Sequence, residues 1–231
     1  MGIISNYNNS SNISSNIDKD IIQHISDIVK YDCIKLIIDG YNQYLADEEV
    51  IFSIDEPTIT AGLYGHIENQ INCTDIQCTI VPELPEFTKS IRKGRTKPKK
   101  AKKYDLCFIH FQIKPNSFFG VEAKLLVEEN YKNKNANFLI SEYVEDKGMG
   151  KYINKIYEKE GLMLGYILKG NPLKIVEKIN FKINDVYSIN DSLKHPYKFE
   201  NFEPYLFISS HAQKKELIHL FLDFEKFSNY S

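Results

Sequence analysis

Asp105, Glu122 and Lys124 have the types and the spacing to do chemistry together. Asp105 lies near the start of Tyr104-Asp105-Leu106-Cys107-Phe108-Ile109-His110-Phe111, and the other two lie late in Phe118-Phe119-Gly120-Val121-Glu122-Ala123-Lys124. Aromatic and branched apolar residues dominate both segments, and Pro115 and Asn116 separate them, so the pair reads as two strands of a hairpin. Side chains alternate along a strand, so Glu122 and Lys124 share one face, while Val121, Ala123 and Leu125 take the other. A carboxylate and an ammonium are costly to bury in an apolar strand unless they are paired and used. With Asp105 on the neighbouring strand, two carboxylates stand ready for a divalent ion, with a lysine beside them. Such a set suits metal-dependent phosphodiester hydrolysis. The plainer alternative is a Glu–Lys pair on an exposed strand face, which contributes almost nothing.

These residues resemble the Asp…Glu-x-Lys signature of the PD-(D/E)XK, or restriction-endonuclease-like, nuclease superfamily, with Tyr104 where a proline often stands. The likeness spans roughly residues 50 to 225, but only the signature is specific. It implies an α/β fold: a mixed central sheet with an α-β-β-β-α-β core, flanked by helices. It also implies an Mg²⁺-dependent endonuclease, with Mn²⁺ able to substitute. Asp105 and Glu122 would be the ligands, the Ala123 carbonyl a further one, and Lys124 would hold or activate water and stabilise charge on the phosphate. Many members carry another acid on the helix before the sheet, which makes Glu56 a candidate metal ligand. Glu56 equally suits a helix N-terminus through the dipole alone.

The elements that must position these groups can be read from the pattern. Residues 1–16 form a Ser/Asn-rich tail with too little apolar content to fold, and 17–231 are expected to form one domain. An extra N-terminal helix is expected from Ile17 to about Ala46, with Gly40 loosening or ending it. A second helix runs from Glu56 to Ile71 with Pro57 in its first turn, and a strand from Ile76 to Pro82. After the hairpin, Lys132–Asn137 reads as a polar turn and Phe138–Glu160 as a helix broken at Gly148. Leu162–Leu168 is continuously apolar, as a strand covered on both faces is. Pro172–Ile179 reads as a short helix. Tyr205–Ser209 and Leu217–Phe224 read as a closing hairpin, the second also compatible with a helix.

Charge is near balance over the whole chain, at −2, but is unevenly placed. Between Lys89 and Lys103 there are nine basic residues and no acid, interrupted by Gly94 and Pro98, so the stretch reads as a basic loop. A solvated loop is the bland reading. Its run into Asp105 favours contact with a polyanionic backbone, with Lys97, Lys99, Lys100, Lys102 and Lys103 lining the approach. Lys147 and Lys151 follow the sheet and are further candidates for phosphate contact, with a solvated helical face as the equal alternative. Ser210 and His211 near the final turn could reach substrate, but a lone loop histidine is more often a surface residue.

Hydrophobic residues at 42% and charged residues at 26% are ordinary for a globular chain of 231 residues. No apolar run reaches about eighteen residues, so no membrane span is expected, and the secretory pattern is absent. Cys33, Cys73, Cys78 and Cys107 form neither a zinc knuckle nor an obvious disulfide framework, which suits reduced thiols in the cytoplasm. Two function classes follow. One is a nuclease acting on DNA, akin to effectors of bacterial restriction or anti-phage defence. The other is a non-catalytic nucleic-acid-binding or protein-interaction module on the same fold. A homodimer, or a partner that supplies activation or specificity, is compatible with both. No Walker motif is present.

Overall fold

Helices begin where side chains can take over the first unpaired amides. The computed structural model describes residues 19–48, 54–86, 89–93, 95, 97, 99, 101–111, 117–157, 160–195, 205–212 and 214–228. Residues 1–16, Gly94, Pro98, Lys100, Pro115 and Asn116 lie outside these. Helix α1 (Lys19–Ala46) precedes α2 (Glu56–Asn72). Asp55 caps α2 by accepting the Thr58 N–H at 3.1 Å, and Pro57 fits the first turn, which fixes Glu56 as its opening residue. The α1 helix does not end at Gly40. A Cβ there would lie 2.6 Å from Ile67 Cγ1 and 3.0 Å from the Ile67 amide nitrogen. The missing side chain is what lets α1 and α2 approach, so glycine here serves packing and not termination.

Strands β1 (Cys78–Pro82), β2 (Leu106–His110), β3 (Ser117–Val127), β4 (Gly161–Lys169), β5 (Tyr205–His211) and β6 (Lys214–Asp223) form a six-stranded mixed sheet. Its order is β1-β2-β3-β4-β6-β5, with β3, β4 and β6 mutually parallel and the other neighbours antiparallel. The central β4 is buried from Gly161 to Leu168, as its unbroken apolar run predicts. The final two strands form the expected hairpin, and the strand alternative for 217–224 is the one adopted. The elements α2, β1, β2, β3, α4 (Ala136–Val144) and β4 follow the expected order along the chain.

Alternation along the strands sends two apolar sets to opposite faces. Phe119, Val121, Ala123 and Leu125 of β3 pack with α1 and α2. On the other face, Leu126, Met163 and Phe221 pack with α4, α5 (Met149–Ile153) and α6 (Pro172–Val186). The helix expected over 138–160 is two helices with the break before Gly148, where a Cβ would lie 2.0 Å from the Tyr143 carbonyl oxygen. Helix α6 outruns its expected end at Ile179 because Ile183 continues the buried stripe of Ile175, Val176 and Ile179. The basic segment opens with a short helix, α3 (Lys89–Arg92), in place of loop throughout; a last helix, α7 (Glu225–Ser228), follows β6.

His211 is not a surface residue. It lies buried in β5, with Nε2 at 2.8 Å from Ser209 Oγ. Ser209 Oγ also meets His219 Nε2 at 2.7 Å, and His219 Nδ1 meets the Tyr143 hydroxyl at 2.9 Å. Burial pushes His219 down to about 3, so it stays neutral and the chain of contacts is a hydrogen-bonded tie between β5, β6 and α4.

The tight α1–α2 contact makes a prediction. Gly40→Ala improves helix propensity by about 1 kcal/mol, but overpacking against Ile67 costs about 1–3 kcal/mol. Urea denaturation should therefore show a net loss of stability; a more stable variant would mean the helices are not in close contact at this point.

Candidate active site at a fork in the sheet

Strand β3 is longer than its neighbour, and the site lies where the two part. The β2–β3 ladder ends at Leu106 opposite Val121, with the Asp105 N–H still donating to the Val121 carbonyl at 3.0 Å. Beyond that point the chain turns away, and the Asp105 carbonyl accepts from Glu83 N–H at 3.1 Å. Strand β3 continues to Val127 along β4. Among the described residues no strand lies opposite its backbone groups at Ala123 and Leu125, which face the fork, and a buried amide left unpaired costs about 1–3 kcal/mol. Side chains supply the partners. Asp105 Oδ2 accepts the Ala123 N–H at 2.7 Å, Lys124 Nζ donates to the Ala123 carbonyl at 2.5 Å, and the Glu56 carboxylate accepts from the Leu125 amide.

The same side chains meet one another. Lys124 Nζ lies 2.9 Å from Glu122 Oε1 and 3.2 Å from Glu56 Oε1. Glu122, with its side chain only 1% exposed, takes a second ammonium from Lys151 on the same oxygen and the Tyr157 hydroxyl on Oε2 at 2.8 Å. Lys151 also lies over the Tyr157 ring, 5.5 Å from its centroid. Three carboxylates thus face two ammonium groups. Desolvation, then the Glu122 charge, pushes Asp105 up to about 7, against the pull of Lys124 and the Ala123 amide. Desolvation likewise raises Glu56, despite Lys124. Burial alone would depress Lys124, but Glu122, Glu56 and Asp105 reverse this and hold it above the ordinary lysine value.

The fork therefore brings together Asp105, Glu122, Lys124, the Ala123 carbonyl and Glu56, and adds Lys151 as a direct partner of Glu122. Lys147 is placed elsewhere: it is exposed, paired with Glu142 at 2.6 Å, and 5.7 Å from the Phe138 ring centroid. In the basic segment Lys97, Lys99, Lys102 and Lys103 are exposed, while Lys100 lies outside the described residues. The end of that segment is fixed beside the site. The Lys102 carbonyl accepts from Glu86 N–H at 2.7 Å, Lys103 Nζ reaches Glu83 at 2.7 Å, and the Lys103 carbonyl accepts from the Tyr157 hydroxyl. Sequence reasoning missed Tyr157 altogether, because a tyrosine at helical spacing gives no sign of where its hydroxyl points.

Among the described residues, no three His, Cys, Asp or Glu side chains are set to hold a metal ion unaided. The donor chemistry at the fork nonetheless suits a hard cation: every candidate is an oxygen, and Mg²⁺ keeps waters and needs only one or two carboxylates. Oxygens of Glu56, Glu122 and Ala123 already surround one positive charge, the Lys124 ammonium.

The raised Asp105 predicts a pH dependence. Its folded value, about 7, exceeds the ordinary unfolded value near 4, so the folded state binds the extra proton. The resulting penalty is absent at pH 4, grows as pH rises toward 7, and is constant above. Without divalent ions, Asp105→Asn should gain on the order of 2 kcal/mol at pH 8 and almost nothing at pH 4. Denaturation at the two pH values measures this, and an equal effect at both would refute the shift.

No family model matches the chain, and no curated protein and no solved structure matches it. What the fork can do rests on its own geometry.

Proposed function

We propose that this chain is a metal-dependent nuclease of the PD-(D/E)XK kind, hydrolysing phosphodiester bonds in nucleic acid, with DNA the first substrate to try. The observation that carries the reading is the meeting of Asp105, Glu122 and Lys124, with Glu56 and the Ala123 carbonyl, at a fork into which a basic segment leads. Asp105, Glu122 and the Ala123 carbonyl would hold Mg²⁺, with Glu56 as a further ligand. When bound, the ion would lower the pKa of a water and neutralise phosphate charge.

The chain's own residues have separate tasks. Lys124 is held as an ammonium, so it is no general base at neutral pH; it orients water and stabilises charge gathering on the phosphate. Asp105 is pushed up to about 7, so taking up the ion would be accompanied by release of a proton at and below neutral pH. The exposed lysines before Asp105 attract the backbone without reading bases.

A second reading has one observation in its favour. The fork satisfies itself through ion pairs and capped amides, as a binding module on the same fold would require. The two readings part on incubation of plasmid and oligonucleotide with Mg²⁺ against EDTA: cleavage only with Mg²⁺ supports the nuclease. Asp105→Asn is the cleanest disabling change, because it relieves repulsion and should leave a folded, inactive protein. Glu122→Gln would take from Lys124 and Lys151 the carboxylate they share and cost about 3–5 kcal/mol of stability, confusing loss of fold with loss of function. Lys124→Ala should lower kcat by about 10²–10³ with little change in DNA affinity. Full turnover with weaker binding would reduce Lys124 to a phosphate contact.

The basic segment makes its own prediction. Replacing Lys97, Lys99, Lys100, Lys102 and Lys103 with Ser should weaken DNA binding equally for all sequences. The slope of log affinity against log salt should flatten by about 0.9 for each phosphate that the segment no longer neutralises. The rate at saturating DNA should change far less. An unchanged slope would show that the segment does not touch nucleic acid.

A further inference from the structure

Tyr157 stands between the basic segment and the site. Its hydroxyl meets Glu122 Oε2 at 2.8 Å and also the Lys103 carbonyl. A phenol has one hydrogen, and a carbonyl and an ionised carboxylate only accept, so the hydroxyl serves one of them fully at a time. Burial and the Glu122 charge push this phenol up, so it keeps its hydrogen.

The ring has little freedom. It stacks on Tyr104 at 4.0 Å and 28°, and meets Tyr152 edge-on at 5.1 Å and 69°. Those two rings lie over Gly120 and Gly161, register partners on β3 and β4. A Cβ would come within 2.3 Å of the Tyr104 ring at Gly120, and within 2.6 Å of the Tyr152 ring at Gly161. Tyr104 is anchored in turn by its hydroxyl, which donates to Glu86 at 2.7 Å. With the ring fixed, the hydroxyl hydrogen is the part that moves.

We propose that Tyr157 is a positioning residue that couples the charge on Glu122 to the end of the basic segment. Its hydrogen favours Glu122 while lysines alone balance that carboxylate, and turns to the Lys103 carbonyl once a divalent ion shares Glu122. The inference rests on the reading of the fork as a metal-dependent site, and adds the link by which that site senses nucleic acid. Nucleic acid that orders the Lys103 end of the segment favours the state in which that carbonyl holds the hydrogen, so by linkage the cation at Glu122 and the nucleic acid strengthen each other's binding. An ion touching phosphate directly adds to the same coupling, so the share due to the hydroxyl is read from a variant.

Tyr157→Phe removes the hydroxyl and keeps the ring stack. Tyr152→Phe is the control, since its hydroxyl donates to the Gly120 carbonyl at 3.0 Å and lies 3.4 Å from that of Leu162, both on the sheet backbone. Affinity for a short DNA duplex is measured in EDTA and in Ca²⁺, which takes the same oxygen ligands. Wild type should gain affinity with Ca²⁺, and Tyr157→Phe should lose about tenfold of that gain, as expected for one hydrogen bond to a charged group. Tyr152→Phe should melt earlier yet keep the full gain. Equal gain in wild type and Tyr157→Phe, or equal losses in the two variants, overturns the coupling. A wild type that cleaves with Mg²⁺ yet gains no affinity with Ca²⁺ overturns it too and leaves the nuclease reading standing. A wild type that neither binds divalent ions by calorimetry nor cleaves removes the nuclease reading, and the coupling falls with it.

Discussion

Strand β3 continues where β2 stops, and the backbone groups at Ala123 and Leu125 need partners that no strand provides. Asp105, Lys124 and Glu56 fill that role from three different elements. The requirement is local and strong, because the Ala123 and Leu125 backbone lies buried in the sheet, where an unpaired amide is costly. It also forces like charges together, since two of the three partners are carboxylates and Glu122 lies beside them. A fork of this kind concentrates buried charge as a direct result of closing its own hydrogen bonds.

That concentration is tolerated only because the lysines arrive from both sides. Lys124 comes from β3 itself, and Lys151 from the start of the second helical piece after the break at Gly148. Buried ion clusters of this kind add little net stability over an apolar equivalent, yet breaking one is severe. The arrangement is better understood as a reservoir of electrostatic tension. Asp105, pushed up to about 7 from an ordinary value near 4, binds a proton far more readily than an exposed aspartate does.

Much of this was legible in the sequence, and the reasons are physical. The Glu-x-Lys spacing fixes two side chains on one strand face, Asp105 precedes a strand with clear β character, and Asp55-Glu56-Pro57 is a helix start by capping chemistry. Each of these is a short-range property. What escaped is long-range. Gly40 looks like a stop until Ile67 is placed against it. Tyr157 looks like a core aromatic, and its hydroxyl meets Glu122 thirty-five residues away in sequence. Lys151 looks like a phosphate contact on a solvated helix face, but its charge is used on Glu122. His211 looks exposed because the turn after it is polar, whereas its ring is drawn inward by Ser209. Periodicity predicts which face a residue takes, but not the partner its polar atom will find.

The two glycines under the tyrosines show how far the site reaches into the fold. Gly120 and Gly161 face each other across β3 and β4, and the space they leave is filled by Tyr104 and Tyr152. Glycine in a strand interior weakens it, through entropy and the absence of a side chain to pack. Here the missing packing is supplied by aromatic rings that could not otherwise lie so close to the backbone. Those rings fix the plane of Tyr157, and Tyr157 holds one side of the Glu122 carboxylate, Oε2, while the ammonium groups occupy Oε1. The absence of two side chains on the strands beneath thus helps to set one side of the Glu122 carboxylate, the lysines setting the other. A Cβ at Gly120 would act on the geometry of the fork through the Tyr104 ring.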